Sequence, residues 1–328
     1  MLAETIYLGL DVSKKTIDVC VIFPDGTKMR TKISNSRAGF VELIEWLHGV
    51  DLANIHACFE PTGNYSNAIG YFLFEQGIRA SRVNSYAVLH HGKSQKFRSK
   101  TDSIDAYLLA DYCKKNQPPL WTPQSVTQQS LREIQHRLDS IDEAIHQEKC
   151  RLEAGVECEA VVEDIEESIG KLHVRRMKLE EALDKLVSAD EKLSEDYAIL
   201  KSIIGIGEKS ALRLLALIKF EKFESSRKVG CFAGLSPRKY ESGTSVKGKD
   251  VISKIGSAEL RSSLYFPAMV ARQHNPQLRE FAERLEAKGK AKKVIICAVM
   301  RKLLALAHTL LTKREYYNPE YRSPLAAR

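Results

Sequence analysis

The stretch IYLGLDVSKKTIDVCVIFPDGTKMRTKI, residues 6–33, decides the fold class of the N-terminal third of the chain. Short apolar runs over residues 6–11 and 16–23 predict two strands, the second of them rich in β-branched side chains. The turn-forming sequence PDGT follows at residues 24–27, and residues 28–33 predict a third strand. Three strands in immediate succession predict the first part of a β-sheet.

Helical and strand-like segments alternate after this stretch. The spacing of apolar residues predicts a helix, a strand, a helix, a strand and a helix over residues 38–47, 55–59, 65–76, 80–83 and 103–115. The proline-rich sequence at residues 118–123 cannot continue a helix, so it marks the end of this block. The order of the elements predicts a mixed α/β sheet flanked by helices.

The rest of the chain has the pattern of a mainly helical protein. Leucine and isoleucine recur every three to four residues on both sides of Gly155, which predicts two long amphipathic helices within residues 121–200. These helices form either an antiparallel hairpin that buries its apolar face within one chain or a coiled coil that joins chains. Residues 201–328 predict further helices over 208–218 and 292–311 and an irregular C-terminal tail.

Charge is unevenly distributed along the chain. The net charge is +8, but residues 121–200 carry 10 Lys and Arg against 19 Asp and Glu, whereas residues 201–328 carry 26 against 11. A strongly basic third is typical of proteins that bind a polyanion. Nucleic acid is therefore the partner that we expect.

Hydropathy and cysteine content further narrow the class of protein to which the chain can belong. No run of apolar residues approaches the ~20 that a membrane-spanning helix needs, so we expect no membrane span. The seven cysteines are scattered and form no Cys-x-x-Cys pair, which supports neither a zinc site nor a disulfide framework. The N-terminus has no basic region followed by an apolar one, so we expect the reducing cytoplasm rather than secretion.

Four acids stand at the ends of predicted elements. Asp11 and Glu60 close two strands, while Asp102 and Asp105 lie three residues apart at the start of a helix, where they share a face. Carboxylates that converge on one cleft repel each other, and divalent cations relieve that repulsion. Oxygen ligands select hard ions such as Mg²⁺ or Mn²⁺, which can promote phosphoryl transfer. Taken singly, each acid also fits an ordinary surface or helix-capping role.

Two loops of the basic third could contact phosphate. The sequence IGIGEKSA at residues 204–211 opens a predicted helix and resembles a helix-hairpin-helix phosphate clamp, although a plain glycine-rich turn has the same composition. The sequence AGLSPRKYESGTSVKGK at residues 233–249 places hydroxyls among basic side chains. An accessible serine there could act as a nucleophile, but composition alone favours a loop that grips phosphate.

Short motifs occur in one order along almost the whole chain. They are GLDVS, FEPTGNY, KTDSIDA, IGIG, FAGLSP, YESG, ISKIG and LR, at residues 9–13, 59–65, 100–106, 204–207, 232–237, 240–243, 252–256 and 260–261. In this order they resemble the DEDD transposases and recombinases of one insertion-sequence family, which includes bridge-RNA-guided serine recombinases and the related Piv-type DNA invertases. Their joint order is far more specific than any single motif.

The resemblance implies a three-part architecture. Residues 1–120 would form an α/β RNase H-like domain of the Holliday-junction-resolvase type. Residues 121–200 would form a helical hairpin or coiled-coil linker. Residues 201–328 would form a mainly α C-terminal transposase domain that contains the helix-hairpin-helix-like element and a serine nucleophile.

The resemblance also implies roles for particular residues. The catalytic and metal-binding acids of the family fall on Asp11, Glu60, Asp102 and Asp105, with Mg²⁺ or Mn²⁺ as the cofactor. The serine nucleophile falls on Ser242, a choice among hydroxyls that composition does not make. Nucleic-acid contacts are expected from Gly205, Gly207, Lys209, Arg238, Lys239, Lys247, Lys249, Lys254 and Arg261.

The partners implied by the resemblance are nucleic acids and further copies of the chain. They are donor and target double-stranded DNA, a noncoding guide (bridge) RNA, and a homo-oligomer of dimers that assemble into a tetramer, in which the acids of one protomer meet the serine of another. The choice between transposase and invertase stays open. Two other functions also stay open, namely an RNase H-like junction nuclease that uses water and a non-catalytic nucleic-acid-binding protein.

Overall fold

A mixed five-stranded sheet organises the N-terminal part of the protein. In the computed structural model, β1 (Ile6–Val12), β2 (Thr16–Ile22) and β3 (Lys28–Ser34) form an antiparallel meander. On the other side of β1, β4 (Ile55–Phe59) and β5 (Arg79–Arg82) run parallel to it. The strand order is therefore β3-β2-β1-β4-β5. All five predicted strands are confirmed.

The structure describes residues 5–63, 65–95, 101–123, 125–238, 241–242, 246–247 and 251–321. The chain divides into two compact units, residues 1–124 and residues 125–328, here called the N-terminal and the C-terminal unit.

Four helices accompany the sheet within the described part of the N-terminal unit. They are α1 (Arg37–Trp46), α2 (Tyr65–Glu75), α3 (Ser85–Ser94) and α4 (Asp102–Asn116). The sequence predicts α1, α2 and α4 but not α3. This helix is held on α4 by a largely buried hydrogen bond, since His91 Nε2 lies 2.7 Å from the carboxylate of Asp111.

Helix α4 lies directly on β1. A Cβ atom placed on Gly9 would come 2.0 Å from the carbonyl oxygen of Ala106 and 2.5 Å from the amide nitrogen of Ala110. Only glycine permits this approach, because any other side chain would collide with the backbone of the helix. The first turn of α4 thus lies beside the C-terminal end of β1.

The C-terminal unit is mainly helical. Its described helices are α5 (Val126–Glu153), α6 (Glu159–Ser188), α7 (Glu191–Ser202), α8 (Glu208–Leu217), α9 (Ser226–Phe232), α10 (Ala258–His274), α11 (Pro276–Ala287) and α12 (Lys292–Lys313). Two short antiparallel pairs join β6 (Pro237–Arg238) to β9 (Val251–Ile252) and β7 (Glu241–Ser242) to β8 (Val246–Lys247). The predicted helices α8 and α12 are confirmed, whereas α10 and α11 were not predicted.

The hairpin of α5 and α6 shares the core of the C-terminal unit. Leu131 and Leu138 of α5 and Leu183 of α6 belong to the same buried cluster as α8, α10 and α12. Leu179 and Leu186 are partly buried against this cluster. The end of the hairpin next to the core is therefore covered within the chain.

Helix α12 is the one helix of the described residues that is long and apolar enough to cross a membrane. One face of this helix, which includes Ile295, Val299 and Leu303, is fully buried in the core of the C-terminal unit. Arg301 and Lys302 interrupt the apolar run. The helix is the core helix of this unit.

We expect Gly9→Ala to destabilise the N-terminal unit by about 3 kcal/mol, at the upper end for an overpacked site, because the added methyl group meets backbone atoms that cannot rotate away. Both tryptophans, Trp46 and Trp121, lie in this unit, so urea unfolding followed by tryptophan fluorescence reports on it.

Gly170→Ala is the control for this substitution. Gly170 lies within α6 of the C-terminal unit, and no atom is within 4 Å of its added Cβ. Alanine there should stabilise that helix by about 0.5–1 kcal/mol, measured by circular dichroism, and leave the tryptophan-reported unfolding of the N-terminal unit unchanged. Unchanged stability of Gly9→Ala would contradict the close approach of α4 to β1.

Candidate active site

Three elements bring the four predicted acids to one end of the sheet. Asp11 lies near the end of β1, and Glu60 follows the last residue of β4, whose neighbour Phe59 pairs with Leu10. Asp102 and Asp105 lie in the first turn of α4, which is capped by the side chain of Thr101. The parallel pairing of β1 with β4 and the position of α4 over Gly9 account for this grouping.

The pKa of Asp11 depends on how close the other carboxylates lie to it. Burial, followed by the negative charges of neighbouring carboxylates, raises the pKa of Asp11 from 3.8 to about 6. In order of decreasing effect, these carboxylates belong to Asp105, Asp102, Glu60 and Asp18. The structure therefore places the other three predicted acids within electrostatic reach of Asp11.

The acids do not form one tight cage. No three of these carboxylates have oxygen atoms that all lie within 4.8 Å of one another. In the described residues, the one group that meets this criterion is His56, Cys58 and Cys113, buried between β4 and α4. Cys113 Sγ donates to the carbonyl oxygen of His56 at 3.4 Å, so this group also ties the sheet to the helix.

Asp18 is a fifth carboxylate that the sequence does not reveal. It lies in the middle of β2 and is the register partner of Asp11 on β1 and of Lys32 on β3. The ammonium of Lys32 is 2.9 Å from Asp18 Oδ2 and balances its charge. Strand register was the missing information, because alternation along β2 shows which face Asp18 occupies but not which residue lies opposite.

The predicted phosphate clamp has a packing role at its first glycine. Gly205 has a φ of +110°, and an added Cβ would come 2.5 Å from the Cβ of Ala271 on α10. Gly207 is the N-cap of α8, and an added Cβ there would meet no atom within 4 Å. The ammonium of Lys209 pairs with Asp142 of α5 at 2.6 Å. The open N-terminus of α8 at Gly207 is thus the part of the motif that is accessible to an anion.

Ser242 lies on a small hairpin of the C-terminal unit. Its backbone pairs with Val246, and Glu241 pairs with Lys247. The acids lie in the other unit, so the predicted acids and the predicted serine belong to different parts of the chain. Lys239 and Lys249 lie outside the described residues.

Three other predicted nucleic-acid residues lie in the described part of the C-terminal unit. Arg238 is exposed on β6, and Lys254 is an exposed residue with a φ of +56°. The guanidinium of Arg261 donates to the carbonyl oxygens of Ala233 and Gly256 at 3.1 and 3.2 Å. Arg261 therefore holds the loop in place, which its sequence context does not indicate.

A mixed sheet with acids grouped at one end, followed by a mainly helical region, is compatible with the class of RNase H-like DEDD transposases. A family model for DEDD transposases matches residues 8–157, and a model described as the IS116/IS110/IS902 transposase family matches residues 197–283. Pilin gene-inverting proteins of Moraxella lacunata and Moraxella bovis are each 31% identical over 317 residues, which cover 95% of this chain and 97% of the relative.

A third relative is more distant. An uncharacterised 43.6 kDa protein of the insertion element IS110 from Streptomyces coelicolor is 25% identical over 59% of this chain and 46% of its own length. The chain belongs to the IS110 family of DEDD transposases. It is therefore a transposase or DNA invertase, an enzyme of DNA strand exchange, from a family that typically depends on divalent metal ions.

We expect Asp11→Asn to stabilise the N-terminal unit at neutral pH. Because the pKa of Asp11 is raised in the folded state, stability is lost as the pH rises from about 4 through about 6. Asparagine removes this loss, so the variant should be more stable by about 1–2 kcal/mol at pH 7.5, after allowance for solvent screening, and equally stable below pH 4.

Urea unfolding in the presence of a chelator, followed by tryptophan fluorescence, measures this difference. Glu42→Gln on the exposed side of α1 is the control for loss of one negative charge. A pH-independent difference between the natural protein and Asp11→Asn would show that the carboxylates do not repel each other.

Proposed function

We propose that this chain is an RNA-guided DNA recombinase of an insertion sequence, which cuts and rejoins DNA through a covalent phosphoserine intermediate. Asp11, Glu60, Asp102 and Asp105 would bind Mg²⁺ or Mn²⁺, and Ser242 would be the nucleophile. The observation that carries the proposal is the grouping of acids around Asp11, whose ionisation their charges oppose.

The donor set fits a hard divalent cation. All four proposed ligands are carboxylates, and oxygen ligands suit Mg²⁺ and Mn²⁺ rather than thiophilic ions. Such ions would supply charge stabilisation at the reacting phosphate when bound. The acids themselves orient the site and keep a high density of negative charge that only a cation can offset.

The proposed covalent step balances without an external energy source. Ser242 Oγ loses its proton to a base and attacks a DNA phosphorus atom, and the bond from phosphorus to one sugar oxygen breaks. The released sugar oxygen takes up a proton. In the second step a DNA hydroxyl attacks the phosphoserine, which restores one phosphodiester bond and the serine hydroxyl.

The acids and Ser242 belong to different units of the chain, so the proposed active site combines residues of both units. We infer that the acids of one protomer meet the serine of another in a homo-oligomer of dimers. Val174 and Met177, two exposed apolar side chains on one face of α6, support assembly through the hairpin as a coiled coil. The hairpin would then serve both as part of the core and as the contact between chains.

The charge of the chain and its family resemblance both indicate nucleic-acid partners. The basic residues 201–328 suit donor and target DNA together with a guide RNA, in which base pairing reads the sequence and protein contacts the backbone. The Moraxella relatives are named for inversion and the family models for transposition, so DNA inversion is the second outcome of the same chemistry. Seven free cysteines suit the reducing cytoplasm.

A water-dependent nuclease is the second candidate function. It is favoured by one observation, that the acids are grouped in a unit of the chain that does not contain Ser242. Such an enzyme would release cleaved DNA and form no protein–DNA adduct. The next experiment separates the two functions.

We expect Ser242→Ala to abolish both the covalent adduct and the joined product while leaving folding and nucleic-acid binding intact, because only the attacking oxygen is removed. The protein is incubated with labelled DNA, guide RNA and Mg²⁺ and then analysed on denaturing gels. Ser245→Ala, in the same loop, is the matched control and should retain the adduct. Joined product from Ser242→Ala would exclude the serine mechanism, and cleaved DNA without adduct would favour the nuclease.

We expect the double variant Asp102→Asn, Asp105→Asn to lose adduct formation by at least about 100-fold, since charge stabilisation at the phosphate is lost. Mg²⁺ or Mn²⁺ should stabilise the natural protein against urea and have no effect on the double variant. Full activity of the double variant would contradict the metal site.

A further inference from the structure

Strand β3 carries three cations on one face. Lys28, Arg30 and Lys32 alternate with other residues, so their side chains leave the same side of the strand at intervals of about 7 Å. All three residues are exposed, and β3 is an edge strand of the sheet. The row therefore presents regularly spaced positive charges to solvent.

Contacts with α4 fix the direction of this row. The ammonium of Lys28 lies 4.3 Å from the ring centre of Tyr107, and Arg30 Nη1 donates to Ser103 Oγ at 3.2 Å. Lys32 pairs with Asp18. The three cations thus point to the face of the sheet on which α4 lies.

Two of the three charges are not neutralised. Lys28 and Arg30 contact a ring and a hydroxyl group, and within the described part of the chain neither makes an ion pair within 4.0 Å. Neutral partners hold these side chains in place without consuming their charge. Ordered, uncompensated cations are suited to binding phosphate.

The row of cations on β3 ends beside the acid cluster around Asp11. Lys32 lies opposite Asp18, which lies opposite Asp11, so the last cation and the central acid are two strands apart on one rung of the sheet. Arg30 bonds to Ser103, which is next to Asp102. The positive row therefore ends at the negative cluster.

We propose that Lys28 and Arg30 bind phosphates of the DNA strand to be cut and that the row, which continues to Lys32, guides this strand into the acid cluster. The inference rests on the proposed function, because the acids are the reason for a DNA strand to end there. Regular spacing along an extended strand matches the repeated charges of a sugar–phosphate backbone. The site would act independently of base sequence, since it contacts only phosphate.

Edge protection is the competing explanation. Lysine on an edge strand also prevents other strands from pairing with it. That role requires charge alone and predicts aggregation, without any change in DNA affinity, when the charges are removed. The two explanations therefore differ in what a substitution changes.

The test compares Lys28→Gln, Arg30→Gln with Lys93→Gln, Lys114→Gln in the full-length chain. The control pair removes the same charge from exposed positions on α3 and α4 that take no part in the row. Lys32 is left unchanged because it balances Asp18. Affinity for labelled single-stranded DNA, duplex DNA and RNA of one sequence is measured by fluorescence anisotropy at several salt concentrations.

The row variant should bind single-stranded DNA about 10- to 30-fold more weakly at 0.1 M salt, with a salt slope less negative by about 1.4, and the control pair should be unaffected. Unchanged affinity, aggregation of the row variant alone, or loss of RNA binding alone would overturn the inference. Absence of adduct in the natural protein would instead overturn the proposed function.

Discussion

The contact between α4 and Gly9 is the constraint on which the candidate site depends. Without a side chain at this position, the helix backbone lies directly on β1, and its first turn falls beside Asp11. A helix at an ordinary distance from the sheet would carry Asp102 and Asp105 away from the strand acids. The absence of a side chain at Gly9 thus sets the distance between the acids of α4 and the acids of the strands.

The acid cluster around Asp11 destabilises the N-terminal unit. Like charges around a partly buried Asp11 oppose folding at neutral pH, and one of the neighbouring acids, Asp18, pairs with Lys32. The nearby cations of Lys28 and Arg30 are held by neutral groups instead. These cations and the acids remain separate, although ion pairs between them would be more stable. Such separation is typical of a site that binds charged ligands.

The C-terminal unit shows why a short motif does not by itself define a role. Gly205 is required for the close approach of α8 to α10, and the guanidinium of Arg261 is bound by backbone carbonyl groups. Both residues belong to sequence motifs that are typical of nucleic-acid binding. In the structure, however, both stabilise the packing of the C-terminal unit. Gly207 and Arg238, whose surroundings are open, are left as the more direct candidates for phosphate contact.

The sequence by itself determined the elements whose signals are local. Apolar periodicity and the PDGT turn predicted the five strands and the long helices, and the positions of Asp11, Glu60 and Asp102 at element ends predicted a shared site. Tertiary structure alone decided the rest. Helix α3 is stabilised by the hydrogen bond between His91 and Asp111 of α4, and the rung that joins Asp11, Asp18 and Lys32 exists only through strand register. Such contacts join residues far apart in the chain, so no local pattern encodes them.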